Sequence, residues 1–176
     1  MIIRLATPSD AWAIARVHVL CWQTAYRGLV SDSVLDGLSI ERRAAFWTDV
    51  LRDPLPNQRT FVADFSGDVQ GFVTGGRCRD EDNTTSGELQ TIYLLPEQWD
   101  TGTGSALHNA CIEALRAETF ADATLWVLEG NERALRFYRK HRWEDDGARK
   151  VQEWDGAVMN EIRLRRTLNV KNRPQQ

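Results

Sequence analysis

Two glycines one residue apart, Gly102 and Gly104, stand where a strand gives way to a helix. The run ELQTIYLLP at 88–96 reads as a strand ended by Pro96, and Ala106, Leu107, Ala110, Cys111, Ala114 and Leu115 follow at helical spacing. Glycines at such a turn let the backbone curl until several N–H groups point at one spot. The unpaired N–H groups and partial positive charge of the helix start reinforce that spot. The result is an anion cradle without a lysine, suited to phosphate or pyrophosphate. A tight strand-to-helix turn without a ligand is the competing reading. A Walker loop would need GxxxxGK[ST], which is absent. A dinucleotide fingerprint would need a third glycine where Leu107 stands.

Other reactive side chains show no site-like spacing. Cys21, Cys78 and Cys111 are odd in number and far apart, which argues against a disulfide framework and for a reducing cytoplasm. Cys111 falls on the helical apolar stripe and reads as core. His18, His108 and His141 lack metal-ligand spacing; His18 lies on or beside an apolar stripe, His108 off one, and His141 near a helix C-terminus that favours a cation. The Asp80-Glu81-Asp82 cluster lacks the glycine and final glutamate of a calcium loop. Arg163, Arg165 and Arg166 read as facing water. No metal is expected.

The elements that must position the loop can be read along the chain. Its 176 residues fit one domain, and a net charge of -3 gives no reason to expect nucleic acid or an acidic membrane. The N-terminus does not read as a signal peptide, and no stretch approaches the ~20 apolar residues that span a bilayer. Met1 to Leu5 reads as a strand. Thr7 caps a helix to about residue 20, with Pro8 at its first position and Asp10 reaching back. Ser39 caps a second helix that stops before Asp53-Pro54. Thr60–Asp64 and Val69–Cys78 form a hairpin around Ser66-Gly67-Asp68. Residues 79–87 form a polar loop. Ala123–Leu128 suits a strand buried on both faces. Asn131 caps a helix through about His141, and two strands follow, ending near Arg166. Residues 1–166 form the domain and 167–176 a polar tail expected to be disordered. The segment 88–128 should be a right-handed strand–helix–strand unit with parallel strands. Strict alternation along 88–95 would put Glu88, Gln90, Ile92 and Leu94 on one face.

The run IYLLPEQWDTGTGSAL at 92–107 resembles motif A of the GCN5-related N-acetyltransferases (the GNAT superfamily), whose loop reads Q/R-x-x-G-x-G/A. LWVLEGNERALRFYRKHRWEDDGARK at 125–150 resembles their motif B, and WQTAYRGL at 22–29 is also similar. The resemblance spans about residues 2–166. It implies an α/β (α+β) domain with a mixed, mostly antiparallel sheet of about seven strands and about four helices. It implies acetyl-CoA as cosubstrate, an amine as acceptor, no nucleic-acid or membrane partner, and room for a homodimer. Two departures stand out: Trp99 occupies the Gln/Arg position and Asp100 one that is often glycine. A third is His141-Arg142-Trp143, where the family often has Leu-Gly-Phe.

The resemblance also implies roles. Ile92, Tyr93 and Leu94 would pair with the pantetheine arm at a strand bulge near Leu94, whose N–H would face the thioester carbonyl. Trp99, Asp100, Thr101, Gly102, Thr103, Gly104 and Ser105 would cradle the pyrophosphate, mostly through backbone. Asn131 would bond the cofactor arm as well as capping its helix. Tyr138 would lie beside the sulfur and act as general acid, and Glu88 would be the base, directly or through water. Trp22, Tyr26 and Arg27 would line the acceptor pocket. Direct acetyl transfer in a ternary complex is the expected activity. A non-catalytic acyl-CoA-binding regulatory module and a nucleotide-binding α/β domain are the alternatives.

Overall fold

A computed structural model describes residues 1–154 and 156–168, with the side chain of Trp154 outside that description. Seven strands form one sheet: β1 (Ile2–Leu5), β2 (Arg59–Phe65), β3 (Asp68–Arg77), β4 (Gly87–Leu94), β5 (Asp122–Leu128), β6 (Glu144–Trp154) and β7 (Ala157–Thr167). Their spatial order is β1-β2-β3-β4-β5-β7-β6. Every neighbouring pair is antiparallel except β4–β5. Among the described residues the α-helices are α1 (Ala11–Ala25), α2 (Asp32–Asp36), α3 (Ile40–Arg52), α4 (Thr103–Ala117) and α5 (Glu132–Lys140), five where about four are expected.

Local chemistry accounts for most boundaries. The Asp10 carboxylate accepts the Thr7 N–H at 2.7 Å and closes a short 3-10 turn that leads into α1. That helix runs five residues past the expected end, because Cys21 and Trp22 continue its buried stripe. Ser39 and Asn131 cap α3 and α5 through their side-chain oxygens. Ser66 and Gly67 both have positive φ, which matches the right-handed twist of the β2–β3 hairpin. Strand β7 extends one residue beyond Arg166, and Leu168 is buried after it. The expected tail is otherwise outside the described residues.

Helices α4 and α5 cover one face of the sheet, with Leu107, Cys111, Leu115, Leu135 and Tyr138 packed on Leu89, Leu125 and Val127. Helices α1 and α3 cover the other face around Phe72 and Trp47. A smaller cluster joins Trp22 and Leu35 to Leu128 and Met159. The β3–β4 register passes from Thr74↔Thr91 to Gly75↔Leu89, leaving Gln90 as an extra residue. The bulge therefore lies at Gln90, not at Leu94. One extra residue switches the side-chain parity beyond it. Ile92 and Leu94 consequently join Leu89 on the α4 face, while Tyr93 packs toward α1. The strict alternation read along 88–95 fails for this reason.

Candidate active site

Strands β4 and β5 pair only at Gly87↔Ala123 and Glu88↔Thr124, then part. The gap between them opens into a cleft of about 1130 Å³. Leu95 N–H donates to Gln70 C=O at 3.0 Å on β3. Antiparallel alternation then turns the N–H groups of Leu94 and Ile92 toward the parted side. Donors along one wall of an open slot can pair with an extended polar ligand as a further strand would.

At one end of the slot the chain turns through Asp100 and Gly102, both at positive φ, into α4. The helical ladder starts with Ala106 N–H to Gly102 C=O at 3.1 Å, so the N–H groups before it lie outside the ladder. Gly102, Gly104 and Ser105 line the cleft there. Thr101 and Thr103 do not: the Thr101 hydroxyl donates to Gln98 C=O at 2.8 Å, and Thr103 is buried with its hydroxyl 2.9 Å from that of Thr101. Asp100 is exposed at the rim. Across the slot, α5 presents Arg133, Arg136 and Lys140. Their i, i+3, i+7 spacing was visible in the sequence as one helical stripe, but it was not weighed there as a source of positive charge. Trp99 closes the end of β4. Its indole N–H donates to Leu94 C=O at 2.9 Å, and Arg133 lies over its ring.

Tyr138 sits where the cradle meets the slot. Its phenol lines the cleft and makes no hydrogen bond among the described residues. Burial pushes its pKa well above the ordinary phenol value, with Tyr93 and Cys111 adding to the effect. Asn131 also lines the cleft, with its Oδ1 engaged by the Ala134 N–H at 3.2 Å.

The cleft is also lined by Trp22 of α1, by Tyr26 just after it and by Tyr93 of β4. Trp22 Nε1 donates to the Tyr93 hydroxyl at 2.8 Å, and the Tyr26 hydroxyl lies 3.3 Å from it. Burial pushes Tyr93 up to about 12 and Tyr26 well above its ordinary value. Arg27 is not part of this wall. It is exposed and paired with Asp32 and Asp36 at 2.9 and 2.8 Å, which fasten α2 to the end of α1. Among the sequence-derived acceptor-pocket residues, Trp22 and Tyr26 line the cleft and Arg27 does not.

Glu88 is 1% exposed and fully engaged. Its Oε2 accepts from the Arg79 N–H and Nε at 3.0 and 2.9 Å, and its Oε1 from Arg79 Nη2 at 2.6 Å. The guanidinium thus engages both oxygens, and with the backbone N–H there are two hydrogen bonds on Oε2 and one on Oε1; Glu88 also lines the cleft. Three residues set aside in the sequence also change character. Arg163 is buried and paired with Asp80 and Asp146. His108 is fully buried, accepting from Trp143 Nε1 at 3.0 Å. His141 bonds Ser105, and burial lowers its pKa, so the helix-end cation expected there does not form at neutral pH.

A glycine turn at a helix start, a parted parallel strand pair and a buried tyrosine line one cleft. The model of the acetyltransferase (GNAT) family matches residues 17–142, and the chain belongs to that family. It is an acetyl-CoA-dependent N-acetyltransferase. It is 33% identical over 140 residues to a Bacillus subtilis (strain 168) protein described as an uncharacterized N-acetyltransferase, YuaI, covering 79% of this chain and 78% of that one. Its fold matches a ribosomal-protein-alanine N-acetyltransferase from Brucella melitensis at a TM-score of 0.71 and 22% identity, over 96% and 100% of the two chains. It also matches yncA of Salmonella typhimurium, solved with acetyl-CoA, at a TM-score of 0.70 and 17% identity, over 99% and 98%.

Proposed function

We propose that the protein transfers the acetyl group of acetyl-CoA to a primary amine of a small molecule or peptide by direct attack within a ternary complex. One observation carries this reading: a single cleft runs from the Gly102–Ser105 cradle past Tyr138 to the Tyr26–Tyr93 cluster. On this reading both substrates would occupy it together, with Tyr138 between them. The pyrophosphate would meet backbone N–H groups at the start of α4 and the cations of α5. Pantetheine would run along Ile92, Tyr93 and Leu94, with Asn131 near its arm. The Leu94 N–H would face the thioester carbonyl, and Tyr138 would protonate the departing sulfur. Trp22 and Tyr26 would shape the acceptor end. A covalent acyl-cysteine route gains no support, since burial pushes the Cys21 and Cys111 thiols up to about 12.

The test is release of free thiol from acetyl-CoA with a panel containing an alkylamine, a polyamine, an amino-acid amide and a short peptide. Calorimetry with CoA and acetyl-CoA runs alongside it. Amine-dependent thiol release supports the reading. Tight binding without turnover on any amine would make the chain a binding module, and no association with either ligand would end the assignment.

A further inference from the structure

Glu161 stood out in neither motif nor spacing. It lies on β7 opposite Leu128 of β5 and Lys150 of β6. Alternation along β7 puts Met159, Glu161 and Arg163 on the face that Trp22 and Leu128 share with Met159. The Glu161 side chain lines the cleft and is 11% exposed. Its Oε2 is buried and makes no hydrogen bond among the described residues; the ammonium of Lys150, 3.5 Å from it, is its ion-pair partner. The Thr91 hydroxyl, which lines the same cleft from β4 on the other side of the gap, is also buried without a hydrogen bond. Buried polar atoms are nearly always satisfied, so two orphans in one cavity point to a polar ligand that completes them.

The groups facing Glu161 come from four elements. Lys150 Nζ on β6 is 3.5 Å away, but that ammonium also sits over the Trp126 ring at 4.2 Å. Arg79, ahead of β4, acts on Glu161 from a distance while its fork is spent on Glu88. Glu88 itself opposes a second negative charge, and Glu161 in turn acts on the phenols of Tyr26, at the C-cap of α1, and Tyr93 on β4. Burial outweighs the attraction of Lys150 and holds the Glu161 carboxyl above the ordinary carboxylate range. The two glutamates therefore differ in kind: Glu88 has no unengaged oxygen, and Glu161 does.

Resting on the acetyltransferase reading, we propose that Glu161 receives the ammonium of the acceptor and takes its proton, while Glu88 positions Arg79. The ammonium gives one proton to the Glu161 carboxylate, which becomes a carboxylic acid. The nitrogen lone pair then forms the C–N bond at the thioester carbonyl carbon. The C–S bond breaks, its electron pair leaves on sulfur, and sulfur takes the Tyr138 proton. The remaining surplus proton on nitrogen returns to the Tyr138 phenolate through water, and Glu161 releases its proton to solvent. The acceptor class that benefits is a primary alkylamine, carried as a cation at neutral pH. An arylamine, already neutral, gains nothing from Glu161.

The test compares the parent with Glu161→Gln, Glu161→Asp and Glu88→Gln, using acetyl-CoA and the best alkylamine of the panel. Thiol release is followed across the acidic-to-alkaline range, with CoA affinity by calorimetry as the check on folding. Glu161→Gln should lower kcat/KM for the amine by about 100-fold or more and remove the enzyme's part of the acidic limb, leaving CoA affinity unchanged. Glu161→Asp should keep a limb, shifted in pH. Glu88→Gln should lower the rate but keep the limb. Parent-like kinetics and limb in Glu161→Gln would overturn this inference alone. Should Glu161→Gln lose CoA binding, an unshifted limb in Glu161→Asp would overturn it equally. Absence of turnover by the parent would overturn the acetyltransferase reading, and this inference with it.

Discussion

Arg133 lies over the indole of Trp99, with its guanidinium carbon 3.7 Å from the ring centroid. The two residues come from α5 and from the loop ahead of α4, so the contact ties the two walls of the cradle together. It also resolves the oddity of a tryptophan in a position where similar sequences place Gln or Arg. The ring carries no charge, but it seats one, and its N–H holds the end of β4 through the Leu94 carbonyl.

Replacing Trp99 by alanine removes a stacked cation and a hydrogen bond together. Each contributes about 1 kcal/mol. Affinity for CoA should fall by up to roughly thirtyfold by calorimetry, with kcat at saturating acetyl-CoA changed by less than about threefold. A variant that lost kcat while keeping its affinity would show that Trp99 acts on the chemistry and not on the cradle.

Lys140→Ala tests the charged stripe of α5. One phosphate contact removed from a partly exposed site should cost about 1 kcal/mol, or roughly fivefold in CoA affinity. The loss should shrink as salt is added, and acetyl-pantetheine, which lacks the pyrophosphate, should bind parent and variant alike. Equal losses for both ligands would place Lys140 elsewhere in the binding process.

Tyr138→Phe keeps the buried ring and deletes one oxygen. Burial holds the phenol protonated, since a raised pKa means that the proton is present at neutral pH and is lost only at higher alkalinity. The hydroxyl is therefore available as a donor throughout the working range. Its removal should lower kcat by about 100-fold across the working range, with little change in KM for acetyl-CoA. Steady-state kinetics across pH decides this, and an unchanged kcat would assign the sulfur's proton to another source.

What the sequence made legible follows from range. Ser39, Asn131 and the Ser66-Gly67 turn act within four residues, so their chemistry could be read in place. The parallel β4–β5 pair followed from chain order and the handedness of crossovers. The bulge at Gln90 could not be seen, because a bulge exists only between two strands in register. Arg163 looked solvent-facing because its partners Asp80 and Asp146 lie 83 and 17 residues away. Glu161 reads as an ordinary strand carboxylate until β5, β6 and α1 close around it.

The bulge also dictates a packing test. A Cβ at Gly75 would collide with Cys111 Sγ and come 3.1 Å from the Glu88 carbonyl oxygen. Gly75→Ala should destabilise the fold by about 1–3 kcal/mol in urea unfolding. Much of that loss should return in the Gly75→Ala, Cys111→Ala double variant, because the second change vacates the space that the first one needs. Additive losses would mean that the backbone contact, and not the thiol, sets the limit.

His108 gives the fold a dependence on acidity. Burial lowers its pKa to about 3, with the neighbouring His141 pushing in the same direction. The ordinary value is 6.5, so the unfolded chain takes up a proton in mild acid that the folded chain refuses. The stability this provides is complete above the unfolded value and declines as pH falls toward the folded one. At pH 5 the decline amounts to about 2 kcal/mol relative to pH 7 or above. Glutamine at this position keeps a carbonyl oxygen to accept the Trp143 N–H, but it does not titrate. Urea unfolding at pH 7 and at pH 5 should therefore show the parent losing about 2 kcal/mol more than His108→Gln between the two conditions. Equal losses in both proteins would mean that His108 takes its proton in the folded state, which requires the Trp143 bond to open in mild acid.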